Sequence, residues 1–479
     1  MNIAMVVYVL GLVCLCEGAL LLLPVVVGIC YMEAATWSLV ITAVLCVVIG
    51  WMFVRNKPVK RMMYQREGMV ITALTWIIIS ILGALPFLIA GAIKDPVDAL
   101  FETVSGFTTT GASILPQVEN LPKCLLFWRS LTHWIGGMGV LVFLLTLLPL
   151  TGGSHVNLMK AESPGPQVEK LVPKMQTTAK ILYGIYLGLT ALEVIFLLAG
   201  GMTVFEALTT AFGTAGTGGF GIKNDSIASY SPYIQVVVGV FMMLFGINFN
   251  FYFFLLLRKW SKAAAMEEVW TYLGIIGLST AVICINISKM FSTFGEGLRH
   301  AFLTVSSIIT TTGFATTDFD IWPEFSKTLL VILMFIGACA GSTGGGFKVS
   351  RVLILARNVR RECKHTLHPQ SVSVLHMDGK PLPEAVLKST NSFLVSYVCL
   401  FFVSLLLVSL DNRDFTTGFT AVAATLNNIG PGLNAVGPTQ NFAFFSWPVK
   451  LILILDMLAG RLEIFPILLL FSKDTWKKF

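Results

Sequence analysis

Four times along this chain a short apolar run ends in a glycine turn, and each time apolar segments of membrane length stand on both sides. The turns are Thr109-Thr110-Gly111-Ala112, Thr217-Gly218-Gly219-Phe220, Thr311-Thr312-Gly313-Phe314 and Asn428-Ile429-Gly430-Pro431. The runs before them fall near 97–108, 205–212, 297–309 and 415–426. Runs of that length are too short to span a hydrocarbon core of about 30 Å and suit re-entrant segments. Re-entrant backbone survives at membrane depth only where protein buries it or water wets it. The four turns therefore have to be gathered inside the protein, where four similar turns can close a ring.

The flanking segments place the chain in a membrane. Only 12% of its 479 residues are charged, against about a quarter in soluble domains. The first segment, near 4–29, lacks a basic start and a small-residue cleavage site, and reads as a retained helix rather than a signal peptide. The net charge of +7 is no nucleic-acid signal, because the basic residues are clustered. They gather between Arg55 and Arg66, at Arg258, Lys259 and Lys262, from Lys348 through Arg351, Arg357, Arg360, Arg361 and Lys364, and at Lys473, Lys477 and Lys478. The alternate loops are acidic, with Asp95, Asp98, Glu102 and Glu119 in one and Asp318, Asp320 and Glu324 in another. Excess Lys and Arg marks the cytoplasmic side, so the glycine turns face outward. The cysteines show no paired spacing, which argues against a disulfide framework or a zinc site.

The apolar pattern predicts ten spanning helices in an all-α polytopic membrane protein. A pair near 4–29 and 36–54 comes first, within residues 1–67. Four pseudo-repeats follow, each a helix, a pore helix, a filter loop and a second helix, around one central pore. Their boundaries are 68–175, 176–265, 266–370 and 371–479. The spanning helices are expected near 68–92 and 125–150, 177–200 and 232–257, 270–290 and 326–357, and 386–410 and 446–472. The polar loops 151–180 and 363–383 are too short to be domains, so the chain carries no catalytic or nucleotide-binding domain of its own.

A ring of such turns suits a bare cation. Backbone carbonyls replace lost water without a fixed negative charge, so the ion is held yet can leave. Glycine reaches dihedrals closed to other residues and permits close approach. The preceding threonines add hydroxyl oxygens, and each short helix points its negative C-terminal end inward.

The run Thr103 to Ala112, with Thr310-Thr311-Thr312-Gly313-Phe314 and Asn427-Asn428-Ile429-Gly430-Pro431-Gly432, resembles the TrkH/KtrB/HKT superfamily of potassium transporters from about residue 68 onward. The extra N-terminal pair is similar to the TrkH branch. The resemblance implies filter glycines at Gly111, Gly218, Gly313 and Gly430, with K+ held at Thr110, Gly111, Thr217, Gly218, Thr312, Gly313, Ile429 and Gly430. It implies K+ as the transported ion, no covalent cofactor, a homodimer in a bacterial inner membrane, and a cytosolic TrkA-like nucleotide-binding ring as partner.

Two further polar features interrupt apolar helices. Gly341-Ser342-Thr343-Gly344-Gly345-Gly346 breaks the last helix of repeat three. Three glycines in a helix each cost about 1 kcal/mol relative to alanine. The break suits either a water-facing loop or a hinge at a close helix crossing. It resembles the family's intramembrane gating loop. Arg461 lies in the last helix, where an intramembrane charge points to function. It acts as a barrier to a passing cation, or else pairs with Glu463, Asp456 or a backbone carbonyl. The resemblance places it in the pore beside the glycine loop.

Other signals carry less. The G-x-G-x-x-G at Gly216, Gly218 and Gly221 lacks any surrounding βαβ unit. Cys363, His365 and His368 read as a solvated basic loop, and Arg129 and His133 as packing against the pore helices. Trp128 and Trp134 read as interface anchors, and Gly136, Gly137 and Gly139 as sites of close helix packing. No arrangement of catalytic side chains stands out, so the chain is expected not to be an enzyme. A K+ symporter coupled to H+ or Na+ remains the alternative, with Asp456 and Glu193 as candidate carriers.

Overall fold

A computed structural model describes residues 1–58, 64–139, 175–371 and 373–477. Among them, six helices are long and apolar enough to cross a membrane, and a bent pair makes a seventh. The first two spanning segments cross at Gly11 and Gly50, where a Cβ on Gly50 would sit 2.8 Å from the Gly11 carbonyl oxygen. This pair is clamped to the rest of the fold. Glu33, in the loop between its two segments, accepts hydrogen bonds from the Lys123 and Cys124 N–H groups at 2.8 and 2.9 Å. A carboxylate from a distant loop thus caps the helix Lys123–Met138, whose own N-cap is Pro122.

Four outer helices follow: Gln65–Ile89, Met175–Ala199, Glu267–Ile287 and Glu384–Val408. Their apolar side chains include exposed Ile81, Ile195, Leu278 and Leu406, as a lipid-facing surface requires. Each leads to a short helix: Pro96–Phe107, Val204–Ala215, Phe294–Ile309 and Phe415–Leu426. Three have 12 residues and reach only about 18 Å, and the third in order, with 16, reaches about 24 Å. All four begin on a hydrogen-bonding N-cap. Asp95 accepts from Val97 N–H, Thr203 and Thr293 from the N–H of Glu206 and Glu296, and Asp414 from Thr417 N–H. Bonds from Thr417, side chain first, hold the Asp414 carboxyl below its ordinary pKa. Their C-terminal turns are buried, so the sequence-predicted re-entrant segments lie at the protein's core.

Two of the inner helices differ from expectation. The predicted helix 232–257 is two helices, Pro232–Phe245 and Phe249–Leu256, bent by 88°. At the break, the Asn248 side chain caps Asn250 N–H at 3.0 Å. The 326–357 helix is interrupted around Gly341–Gly346, as its glycines predict: it ends at Ile336 and resumes at Val349. The predicted 446–472 helix ends at Arg461 and resumes at Phe465, with Glu463 and Ile464 at positive φ between. The first segment runs as one span, Ile3–Cys30, as expected, with Leu21 in right-handed helical backbone where its two helices join. Ten unbroken spans are therefore not what the described residues form. Residues 140–150 of the predicted first inner helix, most of the 151–180 loop, Lys60, Arg61 and Lys478 lie outside the described residues.

Two placements reverse sequence expectations. Lys348 and Arg351, counted with the cytoplasmic basic cluster, are 1% and 5% exposed. Trp128 is fully buried and donates its indole N–H to Gly83 O at 3.0 Å, so it is packing rather than an interface anchor. Beyond the inner helices, a small hairpin with its turn at Asp378-Gly379 packs through Met377 on Ile354 of the helix Val349–Leu367. Arg357 donates to His376 O at 2.6 Å and pairs with Glu267, whose N–H bonds Asp378 at 2.9 Å. Burial pushes the Asp378 carboxyl up.

Candidate functional site

The four turns share one backbone. In each, the residue after the helix cap takes a left-handed conformation: Thr109 (φ 55°), Thr217 (55°), Thr311 (59°) and Asn428 (56°). Two residues on, a glycine is again left-handed: Gly111 (80°), Gly219 (74°), Gly313 (88°) and Gly430 (98°). Left-handed threonine is strained by about 1–3 kcal/mol; asparagine tolerates it better. The residue between donates its N–H five residues back in every turn. These bonds are Thr110 to Ser105 O (2.9 Å), Gly218 to Gly213 O (2.9 Å), Thr312 to Ser307 O (2.8 Å) and Ile429 to Ala424 O (2.8 Å). Such bonds satisfy helix-end carbonyls and turn the chain sharply.

This register corrects one expectation. Gly219, not Gly218, is the counterpart of Gly111, Gly313 and Gly430. The second short helix is capped by Gly216, so the left-handed position falls on Thr217 and the second on Gly219. In this register the positions expected at Thr217 and Gly218 correspond to Gly218 and Gly219. Gly218 is needed for another reason: a Cβ there would overlap the His133 ring. His133 is buried and stacks on Phe220 at 4.1 Å.

The turns meet head to tail. A Cβ on Gly111 would overlap Gly218 O, one on Gly219 would overlap Thr312 O, and one on Gly313 would overlap Ile429 O. A Cβ on Gly430 would lie 2.7 Å from Thr110 O, which closes the circuit. Each glycine thus abuts the carbonyl that precedes the glycine of the next turn. The same four glycines line one cavity of about 130 Å³, with Asn224 and Phe442 on its wall.

Side chains behind the ring hold it. Thr108 and Thr110 hydroxyls bond at 2.8 Å, as Thr310 and Thr312 do at 2.7 Å. In the fourth turn Asn428 replaces threonine; its amide donates to Thr110 Oγ1 and Met457 O, both at 2.9 Å. A buried ion pair joins the first two turns. Arg129 Nε bonds Glu102 at 2.6 Å, its NH1 donates to Gly221 O at 2.9 Å, and its guanidinium covers the Phe220 ring. Glu102 also accepts from Ile114 N–H at 3.0 Å. Loss of one partner from such a pair costs about 3–5 kcal/mol. Arg129 and His133 are therefore packing groups, as their sequence suggested.

Directly behind the third and fourth turns lies the glycine-rich loop. It runs from Gly337 to Lys348, longer than the six residues 341–346 singled out in the sequence. Gly345 N–H donates to Thr311 Oγ1 at 2.6 Å. A Cβ on Gly345 would lie 2.6 Å from Asn427 O, and one on Gly344 would lie 2.8 Å from Thr310 O. Glu268, unremarked in the sequence, clamps both ends of the loop: its Oε1 accepts from Ala340 N–H (2.6 Å) and Ser350 N–H (3.0 Å). Gly341 O accepts from Phe249 N–H at 3.0 Å, Ser342 bonds Cys339 O at 2.7 Å, and Thr343 Oγ1 bonds Phe245 O at 3.3 Å. The Ser342 hydroxyl thus secures the loop's own backbone, and the Thr343 hydroxyl ties the loop to the end of the helix Pro232–Phe245. Gly346 is left-handed at φ 77°, against Gly337.

Arg461 reaches across to this loop. Its NH1 donates to Thr343 O and its NH2 to Gly137 O, both at 2.8 Å. It therefore joins the last inner helix, the loop and the helix Lys123–Met138. Of the options left by the sequence, backbone carbonyls hold it. Gly137 is close-packed on Gly216, which places its carbonyl there. Glu463 pairs with Arg351, and Asp456 accepts from Ser404 Oγ at 2.6 Å.

The chain as a whole has relatives among known proteins. A model of the TrkH family, described as cation transport protein, matches residues 38–287 and 286–478. The chain belongs to the TrkH family. The Trk system potassium uptake protein TrkH of Salmonella typhimurium strain LT2 is 35% identical over 477 residues, 98% of each chain. The protein of the same description from Vibrio parahaemolyticus is 35% identical over the full length of both. The crystal structure of the potassium transporter TrkH from Vibrio parahaemolyticus superposes with a TM-score of 0.88 at 33% identity, covering both chains completely. As a TrkH family member the chain is a multi-pass transport protein of the bacterial inner membrane and not an enzyme.

Proposed function

We propose that this chain is the potassium-translocating membrane subunit of a Trk-type uptake system. K+ sheds water at the four-glycine ring and passes through channel-like, down its own gradient. The head-to-tail closure of Gly111, Gly219, Gly313 and Gly430 on the carbonyls of Gly218, Thr312, Ile429 and Thr110 carries this reading. It supplies four equivalent oxygens with no net charge among them, which suits a weakly held monovalent ion. The relatives' description as potassium uptake proteins supports K+ as that ion.

Below the ring, the loop Gly341–Gly346 and Arg461 act as the gate. The loop fills space immediately behind two of the turns, and a fixed guanidinium there repels an arriving cation. Opening requires both to move. We assign the control of that movement to a cytosolic nucleotide-binding ring, docked on exposed basic residues such as Arg258, Arg360 and Lys364. The functional unit is a homodimer.

The test is cation flux into liposomes that contain this chain, with and without the cytosolic partner. Uptake that follows the K+ gradient alone, and favours K+ over Na+, is expected. Uptake that requires a proton or sodium gradient contradicts the channel reading and favours the symporter, with Asp456 and Glu193 as the groups to examine.

A further inference from the structure

Lys348 is a lysine with no place in a cytoplasmic basic cluster. It is 1% exposed and stands at the end of the glycine-rich loop. Its φ of 84° is one that side-chain-bearing residues rarely adopt. Its N–H donates to Ile336 O at 2.9 Å, and the next N–H, of Val349, to Ala338 O at 3.1 Å. These bonds close the loop at its neck. The lysine side chain then turns back into the loop, and its Nζ donates to Gly344 O.

That carbonyl has a particular position. Gly344 is pressed against Thr310 O, at the end of the third short helix. The preceding carbonyl, Thr343 O, is taken by Arg461. Two successive loop carbonyls just behind the ring are thus each occupied by a fixed cation. A peptide oxygen that accepts from an ammonium is an oxygen that can ligate a desolvated K+, since both are compact monovalent cations seeking carbonyl dipoles.

We propose that Gly344 O belongs to a monovalent-cation subsite behind the ring, and that the Lys348 ammonium is its tethered occupant in the closed gate. While the lysine sits there, the site is filled and its charge opposes entry of K+. When the lysine withdraws, the same carbonyl becomes a ligand for the passing ion. Lys348 directly precedes the helix Val349–Leu367, which runs out to the exposed basic surface. Movement of that helix would withdraw the lysine and relax the loop together. This inference rests on the permeation reading above.

Chemical rescue tests it. Lys348→Ala in partner-free liposomes is expected to pass K+ about tenfold faster, equivalent to a barrier lowered by ~1.4 kcal/mol. Propylammonium restores the methylenes and ammonium that the substitution removes. It should suppress the excess flux of Lys348→Ala and leave wild type and Arg461→Ala unchanged. Lys348→Arg, which keeps a cation, should stay at the wild-type level. If Lys348→Ala fails to insert, Lys348→Met keeps the stem without the charge and should show the same rise. Wild-type flux in an inserted neutral variant would overturn the tethered-cation role while leaving the permeation reading intact. Equal inhibition of all variants by propylammonium would overturn it too, as block elsewhere. Absence of K+ flux from wild type and every variant, with or without the partner, would overturn both readings.

Discussion

Gly313→Ser lowers the preference for K+ over Na+ by about tenfold, a loss of ~1.4 kcal/mol in discrimination. The reason is steric and local. Gly313 holds φ at 88°, and any Cβ there would overlap Ile429 O and crowd the Pro431 ring at 2.9 Å. The serine side chain is accommodated only if the third turn or the Ile429 carbonyl moves. Either shift takes one oxygen out of the ring and leaves a site that discriminates less among cations. The same substitution at Gly219 should match it, whereas substitution at Gly218 should act through His133 behind the ring. Reversal potentials or paired K+ and Na+ fluxes measure the change. Preserved preference at Gly111, Gly219, Gly313 and Gly430 in turn would remove the ring from the account.

Arg461→Ala raises K+ flux by at least about tenfold without the cytosolic partner. A unit charge near the path of another is a large barrier: at 4 Å and an effective dielectric near 20 it is worth ~4 kcal/mol. The substitution removes that charge and also releases Thr343 O and Gly137 O from their donor. Both effects favour passage, since the charge disappears and the loop loses a tether. Flux in liposomes, normalised to inserted protein, reads the outcome. Unchanged or lower flux at normal insertion contradicts the barrier role.

How far the sequence reached follows from what each residue announces. The four turns were legible because in each a glycine, behind threonine in three of them, follows a short apolar run between segments of membrane length. The register of the second turn was not, because Gly216, Gly218 and Gly219 all stand within four residues and only the dihedrals separate them. Gly218 answers to His133, a contact from a distant helix that no local pattern contains. The glycine run Gly341–Gly346 announced the break in the third inner helix, whereas the breaks in the second and fourth were hidden for a related reason. Ile247 and Leu462 stand in long apolar stretches that outweigh the polar Asn248, Arg461 and Glu463, so average hydropathy runs on across backbone that has turned aside. Pro466, just inside the final helix, was the one local sign of a break there. Lys348 was misplaced because counting charges along a chain does not distinguish a solvated lysine from one folded back into its own loop. Glu33 and Glu268 work by capping backbone far away in sequence, which composition and spacing do not reveal.

The proposed gate stands against the backbone that supports the ring. The loop bonds the third turn through Gly345 N–H and Thr311 Oγ1, and its tether Arg461 lies one residue beyond Gly460, which is packed on Leu426 O at the end of the fourth short helix. Movement of the loop therefore acts on backbone that directly supports the ring.

The most direct measurement is anomalous scattering from Rb+ or Tl+ in crystals of this chain. Density on the axis enclosed by the carbonyls of Thr110, Gly218, Thr312 and Ile429 is the predicted result. Ions that bind elsewhere and leave this ring empty, in a protein that still conducts K+, would contradict it.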